Sequence, residues 1–262
     1  AITMAADTQL QTNGGNQRLA ATGDIQLGLL DARTAADRGA QTLANQANWG
    51  DISLVTTGGS IIDAGVEANT IEDIYANQLR LQAASAIGET ATHLNIEVAQ
   101  LSALATAGAL HITEQTDLDI ASTTVTVNRV KVDGSIAGST VTDGAQNDVT
   151  SGSDLALELI DGALVLDSTG SVNADGNILV KAGGAGNDLT INAAITNSAG
   201  YTTLQAGRDI LVNANISATA DGKTLDLLAG RNVAMADGAS ITSANGDIRL
   251  EATAGSIISE IL

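Results

Sequence analysis

The sequence lacks most of the side chains that fill the centre of an ordinary globular protein. Its 262 residues include no phenylalanine, proline or cysteine, and the aromatic residues are Trp49, Tyr75 and Tyr201. Globular cores reach native packing density with large side chains, whereas the apolar residues here are almost all alanine, leucine, isoleucine and valine. This composition favours a narrow core of uniform cross-section. Without proline, turns must be built from the 28 glycines together with asparagine and aspartate.

Positive charge is also scarce, since 30 acidic residues face 11 basic ones and give a formal net charge of −19. Nucleic-acid affinity comes largely from Lys and Arg that neutralise phosphates, so we predict no nucleic-acid partner. No apolar run approaches the roughly 18 residues of a membrane span, so we predict no membrane insertion. The first ten residues, AITMAADTQL, lack the basic and apolar regions of a signal peptide.

A short phrase recurs along the chain: a turn containing Gly, Asp or Asn, followed by two apolar residues on either side of a variable one. It occurs as GDIQL at 23–27, GDISL at 50–54, GNDLTI at 186–191, GRDILV at 207–212 and GDIRL at 246–250. Alternate residues of a strand share one face, so this spacing predicts strands. Strands this short, separated by so few turn residues, do not fit a β-sandwich.

A longer period groups these strands into coils. Two series of apolar residues recur at steps of twenty-odd residues: Leu189, Ile210, Val233 and Ile195, Ile216, Ile241. The period predicts an all-β fold, a right-handed parallel β-helix (β-solenoid) with about 20–24 residues per coil and roughly a dozen coils. Leucine-rich repeats have a similar period, but their L-x-x-L-x-L-x-x-N pattern is missing.

The two ends of the chain resemble each other. Residues 1–22 align without gaps on residues 232–253, with identities that include Met4 with Met235 and Arg18 with Arg249. One interpretation is a tandem array with a unit near 231 residues, and the other is convergence of all coils on one consensus. We predict that residues 1–262 form a single solenoid segment within a longer array.

Two segments break the rhythm. Residues 31–49 have no strand alternation and predict a loop or short helix that leaves the rod, with Trp49 anchoring its return. Residues 125–153 alternate strongly around Asp133-Gly134, which predicts an outward hairpin. Solenoids place specificity in such insertions.

Several stretches resemble the repeat regions of very large bacterial exoproteins of the filamentous-haemagglutinin-like and adhesin-like kind. They are GSIIDAG at 59–65, AASAIGETATHLNIEVAQLSALATAGALHITE at 83–114, VNRV at 127–130 and AGGAGNDLTINAAIT at 182–196. The resemblance covers roughly residues 50–262 and implies a right-handed parallel β-helix. It also implies a structural or adhesive role at or outside the surface of a Gram-negative cell, and it brings no catalytic residues.

The stretch Gly183–Ile191 fits the nonapeptide G-G-x-G-x-D-x-U-x of calcium-binding β-rolls. In β-rolls the ion lies between successive nonapeptides, and the neighbouring stretches here do not fit the pattern. The candidate calcium ligands are therefore Gly186 and Asp188, which supply half a site. The alternative is a structural coil marker, in which the Asn and Asp face water while Leu189 and Ile191 enter the core.

Six Asp-Gly pairs, beginning at 133, 143, 161, 175, 221 and 237, suit solvated tight turns, and stacked aspartates would offer a weaker alternative as cation sites. Thr-x-Thr occurs at 124–126 and 140–142, but the regular ladder required for ice binding does not follow.

Catalytic candidates are few. His93 and His111 lie about one coil apart and predict a stacked surface pair, and Glu67, Glu72 and Asp73 predict a solvated acidic loop. Many polysaccharide-degrading enzymes are β-helices, but three aromatic residues provide few sugar platforms. We assign no catalytic residue and no cofactor, with calcium as the alternative.

Together these features predict a non-enzymatic structural or adhesive segment of a secreted or cell-surface bacterial protein, which forms a rod, fibre or sheath element. The predicted partners are the chain itself or adjacent repeats, end to end, and a cell-surface or carbohydrate ligand. The alternatives are a polysaccharide-binding or polysaccharide-degrading β-helix and a calcium-stabilised β-roll.

Overall fold

The computed structural model describes residues 1–65 and 72–259. These residues form a parallel β-solenoid of about 11 turns, in which paired strands lie about 23 residues apart and helix accounts for 4%. The predicted fold class and coil length are therefore confirmed. At the strand spacing of about 4.8 Å, 11 turns extend for roughly 50 Å.

The strands are short because each one crosses a single face of the solenoid before the chain turns. The first half contains β1 (Ile2–Thr3), β2 (Gln9–Gln11), β3 (Gln17–Ala21), β4 (Ile25–Leu27), β5 (Leu29–Asp31), β6 (Ile52–Thr56), β7 (Ile61–Asp63), β8 (Ile74–Ala83), β9 (Leu94–Ala105), β10 (Leu110–Glu114), β11 (Leu118–Ile120), β12 (Thr123–Asn128), β13 (Thr140–Gln146) and β14 (Val149–Ser151).

The second half is more regular and repeats one five-residue strand followed by two three-residue strands. It contains β15 (Leu155–Leu159), β16 (Leu164–Leu166), β17 (Val172–Ala174), β18 (Ile178–Ala182), β19 (Leu189–Ile191), β20 (Ile195–Asn197), β21 (Thr202–Ala206), β22 (Ile210–Val212), β23 (Ile216–Ala218), β24 (Leu225–Ala229), β25 (Val233–Met235), β26 (Ile241–Ser243), β27 (Ile248–Ala252) and β28 (Ile257–Ser259).

Strands of successive turns pair in parallel and in register. Leu189 pairs with Ile210, which pairs with Val233, and Ile195 begins the second predicted series in the same way. Both predicted series are thus confirmed as ladders. The register is specified because a slip of one residue would move every apolar side chain from the core to solvent.

The core is a stack of aliphatic side chains along the axis. One representative ladder runs from Leu157 through Val180, Leu204 and Leu227 to Leu250. The first four are fully buried, whereas Leu250 in the last turn is only partly buried. Each fully buried aliphatic side chain contributes about 1.5–3 kcal/mol relative to an exposed one, so the number of turns sets the stability of the core.

Glycines permit the close stacking of backbones at the corners. A Cβ added to Gly207 would lie 1.8 Å from the carbonyl oxygen of Gly184 in the turn below. A Cβ on Gly230 would lie 2.0 Å from the carbonyl oxygen of Gly207. Any side chain at this corner would therefore force adjacent turns apart.

Strands that stack on one another in successive turns form columns. These columns are divided differently before and after β9. Before it, β3, β6 and the second half of β8 form a column of long strands that ends on residues 101–105 of β9. After it, β11 pairs with residues 100–101 and β14 with residues 103–105. The long column is thus split between two short strands, and we call the turn from β9 to β14 the junction. It separates an N-terminal region from a C-terminal region.

The resemblance of the two ends is also visible in the strands. In residues 1–22 and in residues 232–253, two short strands precede a five-residue strand, and β3 and β27 occupy aligned positions. Both interpretations, a tandem array and a shared consensus, produce this pattern, so the array stays a prediction.

Both excursions leave the N-terminal side of the molecule, and their bounds differ from those predicted. In the segment 31–49, Asp31 still belongs to β5, and the insertion carries α1 (Ala35–Ala40) and a 3₁₀ helix (Gln46–Asn48). The hairpin of β12 and β13 begins at Thr123 rather than at 125. It ends before β14, because residues 149–151 return to the solenoid in register.

Candidate functional site: the lateral hairpin

The hairpin of β12 and β13 packs flat against the outside of the N-terminal region. Its strands alternate between buried and exposed residues, and Val125 on the inner side is fully buried. On the outer side Thr126 pairs with Thr142, and their hydroxyl oxygens lie 2.9 Å apart. The two Thr-x-Thr motifs therefore lie on the two strands of one hairpin, where Thr126 and Thr142 pair and Thr140 pairs with Asn128, instead of forming a ladder along the coils.

The hairpin covers a row of outward-facing polar side chains on the long column. These side chains follow one another in register over four turns: Arg18, Ser53, Arg80 and Ser102. Ser53 and Ser102 are fully buried beneath the hairpin, and Arg80 is nearly so. Covered polar groups need hydrogen-bond partners. The hairpin supplies them for Arg18, Ser53 and Ser102 and for Nε of Arg80, whereas Nη1 of Arg80 has no partner among the described residues.

Asp143 is the principal anchor of the hairpin. Its carboxylate accepts two hydrogen bonds from Arg18, at 2.7 Å and 2.9 Å, and a third from the Ser53 hydroxyl at 2.7 Å. Burial acts to raise the pKa of Asp143, but the bonds from Arg18 and Ser53 and the nearby positive charge of Arg80 outweigh it, so the pKa is lowered. The expected solvated Asp-Gly turn is wrong at this position, because Asp143 lies within β13.

Further contacts attach the hairpin to the solenoid at several heights. The Arg80 guanidinium donates to the carbonyl oxygen of Gly144 at 3.1 Å. The Gln146 side chain donates to the carbonyl oxygen of Leu81 at 2.9 Å. The hydroxyl groups of Ser102 and Thr123 lie 2.6 Å apart. The base of the hairpin is therefore held at many points along its length.

The tip of the hairpin, residues 129–139, extends beyond these contacts. Val132 is fully exposed, and Val130 and Ile136 are more than half exposed. Arg129 and Lys131 form no ion pair with any residue that the structure describes. The tip thus combines exposed aliphatic side chains with positive charge on a strongly acidic protein.

The backbone of the tip is folded by two turns. The amide of Gly134 donates to the carbonyl oxygen of Lys131 at 2.9 Å, and that of Lys131 donates to Ser135 at 2.8 Å. Gly134 has a φ of 81°, a left-handed conformation that glycine adopts without cost. The Asp133-Gly134 pair therefore forms the turn that the sequence predicts, and it places the aliphatic residues on both sides of the turn.

The second excursion covers a different face. Thr34 caps α1 by accepting a hydrogen bond from the Asp37 amide at 3.2 Å. Trp49 is buried, its ring meets Tyr75 edge-on at 6.2 Å, and its indole nitrogen donates to Asp37 at 3.0 Å. Trp49 therefore fixes the point at which the excursion rejoins the solenoid.

Acidic side chains lie buried beneath this excursion. Asp31 is fully buried and accepts two hydrogen bonds from Arg33, at 3.0 Å and 2.8 Å. The Tyr75 hydroxyl donates to Glu72, and burial together with this bond raises the pKa of Tyr75. The prediction of a solvated acidic loop is wrong for Glu72 and Asp73, which are buried: Glu72 accepts a hydrogen bond from the Tyr75 hydroxyl, and the Asp73 carboxylate accepts one from the Asn95 amide at 2.8 Å. The third residue, Glu67, lies outside the described residues.

Two further carboxyl groups, Glu97 and Glu114, are fully buried in this area. Glu97 accepts hydrogen bonds from Gln46 at 2.6 Å and from Thr116 at 2.7 Å on the same carboxylate oxygen, and its other oxygen, Oε2, has no partner among the described residues. Burial raises the pKa of Glu97, and burial followed by the charge of Glu97 raises that of Glu114 well above its usual range. The hydrogen bond from Gln46 connects the 3₁₀ helix to the solenoid.

The structure gives the predicted calcium ligands other partners. The Asp188 carboxylate accepts a hydrogen bond from Nε of Arg208 at 2.6 Å and another from Nη2 of the same guanidinium. It accepts a third from the Asp209 amide at 3.0 Å. Gly186 is exposed, and Leu189 and Ile191 enter the core as expected. A cation at Asp188 would have to displace Arg208. No group of three or more potential metal-ligating side chains occurs within residues 1–65 and 72–259.

The two histidines stack one turn apart, as expected, with ring centroids 5.4 Å apart. His111 is mostly buried rather than on the surface. It lies at one end of a groove of about 350 Å³ that runs up the face of β10, β15, β18 and β21. The lining side chains include His111, Asp154, Ala156, Leu179, Tyr201 and Thr203.

The sequence pointed to the hairpin but not to its anchors or to the groove. Nothing in the residues around Asp143 indicates that its partner is Arg18, 125 positions away. The usable signal was the alternation on each side of Asp133-Gly134, which predicts two strands but not the face on which they pack. The groove follows from the register of four strands and has no local sequence signature.

Within the described residues, no helix is long and apolar enough to cross a membrane. No protein-family model matches the chain, and neither a curated protein nor a solved structure is significantly similar to it. The fold and the geometry of the lateral hairpin are therefore the evidence on which a function must rest.

Proposed function

We propose that this chain is a non-enzymatic structural and adhesive segment of a secreted or cell-surface bacterial protein. The observation that carries the proposal is a solenoid from which one firmly anchored hairpin presents an exposed apolar tip. A solenoid extends a structure at a constant cost per turn, because each turn contacts only its neighbours. Large exposed apolar groups on a lateral projection are typical of interaction sites.

The sequence resemblance supports the same role. The stretches at 59–65 and 83–114 are similar to repeats of filamentous-haemagglutinin-like and adhesin-like exoproteins. In that setting the protein lies outside a Gram-negative cell, and the hairpin tip contacts a cell-surface or carbohydrate ligand.

End-to-end association is the second part of the proposal. In the last described turn Ile248, Ile257 and Ile258 are about half exposed, whereas the corresponding Leu225 and Val233 one turn earlier are fully buried. Unpaired strand edges with apolar side chains readily accept another strand. A further turn, from an adjacent repeat or from a second copy, would bury them.

The burial of Glu97 and Glu114, the carboxyl groups whose pKa is raised, favours a non-enzymatic role. Glycosidases place two carboxyl groups on either side of one accessible sugar bond. Glu97 and Glu114 are fully buried; Glu97 accepts a hydrogen bond from Gln46, and Glu114 accepts hydrogen bonds from the backbone amides of Val98 and Gln115. Their positions fit the attachment of a segment better than contact with a polysaccharide.

Electron microscopy of the purified protein tests the end-to-end part of the proposal. We expect particles of constant width that lengthen with concentration in steps of one segment. Ile257→Asp should stop the lengthening, because it places a carboxylate in the contact between turns. Ile160→Asp, the same change at an exposed isoleucine away from both ends, is the matched control. Particles of one segment length at every concentration would contradict this part.

The adhesive part requires a separate assay. Beads coated with the protein should bind to Gram-negative cell-surface preparations, and replacing residues 129–139 with a two-residue Asn-Gly turn should abolish this binding. Circular dichroism of the shortened variant checks that the solenoid is intact. Undiminished binding without the tip would refute a role for the hairpin in adhesion.

A further inference from the structure

The hairpin tip has the composition of a docking element rather than of a solvated loop. Three exposed large aliphatic residues lie close together in the tip, away from both ends of the described solenoid: Val130, Val132 and Ile136. Arg129 and Lys131 lie between and beside them. On a chain with a net charge of −19, this local positive charge is complementary to the rest of the protein surface.

A lipid surface is a poorer occupant for this tip than a protein. Asp133 lies at the turn of the tip, where it would enter the lipid first. An acidic protein surface with an apolar depression satisfies both the aliphatic and the cationic side chains.

The groove on the C-terminal region has these properties. Its floor follows one outward row, in which His111, Ala156, Leu179 and Thr203 stack in register. The three steps between these four residues, at about 4.8 Å each, give the floor a length of roughly 14 Å. The half-exposed ring of Tyr201 lies along the groove.

The rim of the groove carries a negative charge. Asp154 is exposed, and one of its carboxylate oxygens accepts a hydrogen bond from the Asn177 amide at 2.7 Å. Asp154 forms no ion pair with any residue of the described ranges. An incoming cationic side chain would therefore meet a carboxylate that is still available.

We propose that the hairpin tip of one copy of this chain docks into the groove of a second copy. The aliphatic residues of the tip cover Ala156 and Leu179, and Arg129 pairs with Asp154. We assign the contact to two copies, because Arg18 and Ser53 hold the hairpin over the column of β3, β6 and β8, whereas the groove lies on the column of β10, β15, β18 and β21.

Tip and groove are different surfaces, so the contact joins each copy to a new neighbour. Heterologous contacts that do not close into a ring produce open assemblies. Docking of this kind connects solenoids side by side, whereas the contact between terminal turns lengthens them. The lateral contact therefore adds a way to form a sheath that does not depend on end-to-end association.

A photo-crosslinking experiment tests the contact directly. A photoreactive amino acid replaces Val132, and Ile257→Asp is included so that contacts between ends are removed. We expect crosslinked dimers whose linked peptides, identified by mass spectrometry, map to residues 154–203. The same photoreactive amino acid at Ile160 is the control and should give no such product.

Charge exchange provides the second test, by sedimentation velocity in the same Ile257→Asp background. Arg129→Glu and Asp154→Lys should each weaken lateral association by at least about tenfold, and an equimolar mixture of the two variants should restore it. The restoration separates charge pairing from misfolding, because neither variant would recover if it were unfolded.

The proposal is overturned if crosslinks from position 132 map outside the groove, or if the mixed variants fail to associate. It is equally overturned if the tip binds anionic vesicles in place of a second copy. Loss of end-to-end lengthening alone leaves the lateral contact intact, so the failure of one contact does not imply the failure of the other.

Discussion

The N-terminal and C-terminal regions have the same kind of core but treat their outward side chains differently. Before the junction, the excursion and the hairpin cover the outward residues, so Asp31, Glu97 and Ser53 are fully buried. After it, outward carboxylates pair with arginines whose side chains stay 43–55% exposed. The inward face specifies the solenoid in both regions, and the covered outward face becomes a second, polar core.

The ion pairs of the C-terminal region follow a simple rule. Each aspartate pairs with an arginine one turn further on, as Asp188 does with Arg208 and Asp226 with Arg249. For Asp209, the hydrogen bond from Arg231 is the main cause that lowers its pKa to about 2. These pairs link successive turns at the surface, where solvent screens them.

The largest expected effect tests whether the aliphatic cores of the N-terminal and C-terminal regions contribute equally to stability. Leu81→Ala in the N-terminal region and Leu204→Ala in the C-terminal region both remove fully buried side chains. Each should lower the free energy of unfolding by about 3 kcal/mol, because cavity and transfer costs add. Urea denaturation measures both. Val132→Ala at the exposed tip is the control and should change nothing, while a large difference between the two leucines would break the comparison.

The next effect compares an ion pair beneath the hairpin with one at the surface. Asp143→Ala leaves the partly buried Arg18 and the fully buried Ser53 without their acceptor. It should cost about 2 kcal/mol, less than the loss of a partner from a fully buried ion pair. Asp226→Ala, which removes the partner of Arg249, should be indistinguishable from the unchanged protein because solvent screens that pair. Limited proteolysis at the hairpin should also accelerate for Asp143→Ala only. Equal effects of the two substitutions would show that covering does not strengthen the pair.

The third effect is a difference in pH response. The raised pKa of Glu97 and Glu114 means that their contribution is complete below the ordinary glutamate pKa and is lost as pH rises through the folded value. Asp209 behaves oppositely, and its contribution is lost as pH falls from 3.8 towards 2. Hydrogen exchange corrected for intrinsic rates should show that residues 35–48 open more readily at pH 8 than at pH 5.

Glu114→Gln isolates this response, because an amide cannot ionise and so removes the carboxyl group whose pKa burial and the charge of Glu97 raise. The variant should lose most of the pH dependence in residues 35–48 and keep that of the C-terminal turns. A variant with the same pH dependence as the unchanged protein would show that the carboxyl pair is not its source.

The smallest expected effect concerns calcium. Because Arg208 occupies both carboxylate oxygens of Asp188, we expect calcium to leave the unfolding temperature unchanged. Calorimetry with calcium and with a chelator measures this, and Asp188→Ala is the matched variant. Tight binding that disappears in Asp188→Ala would establish the calcium-stabilised alternative.

The regular part of the fold was predictable, because it depends on local spacing. Leu189, Ile210 and Val233 alternate with polar residues at a fixed period, and each turn pairs only with its neighbours. The hairpin was predictable as two strands around Asp133-Gly134. The acidic residues Glu72 and Asp73 were predicted incorrectly, because their burial depends on partners that the fold supplies, Tyr75 for Glu72 and the Asn95 amide of the next turn for Asp73.

The sequence by itself determined the solenoid, its period and the inward ladders, because alternation and glycine corners act between residues close in the chain or one turn apart. Only the tertiary structure decided what covers the outward faces. The pairs Arg18–Asp143 and Gln46–Glu97 join residues that share no local pattern. These pairings are set by the packing of the two excursions, since a buried polar group pairs with whichever partner the covering segment brings to it.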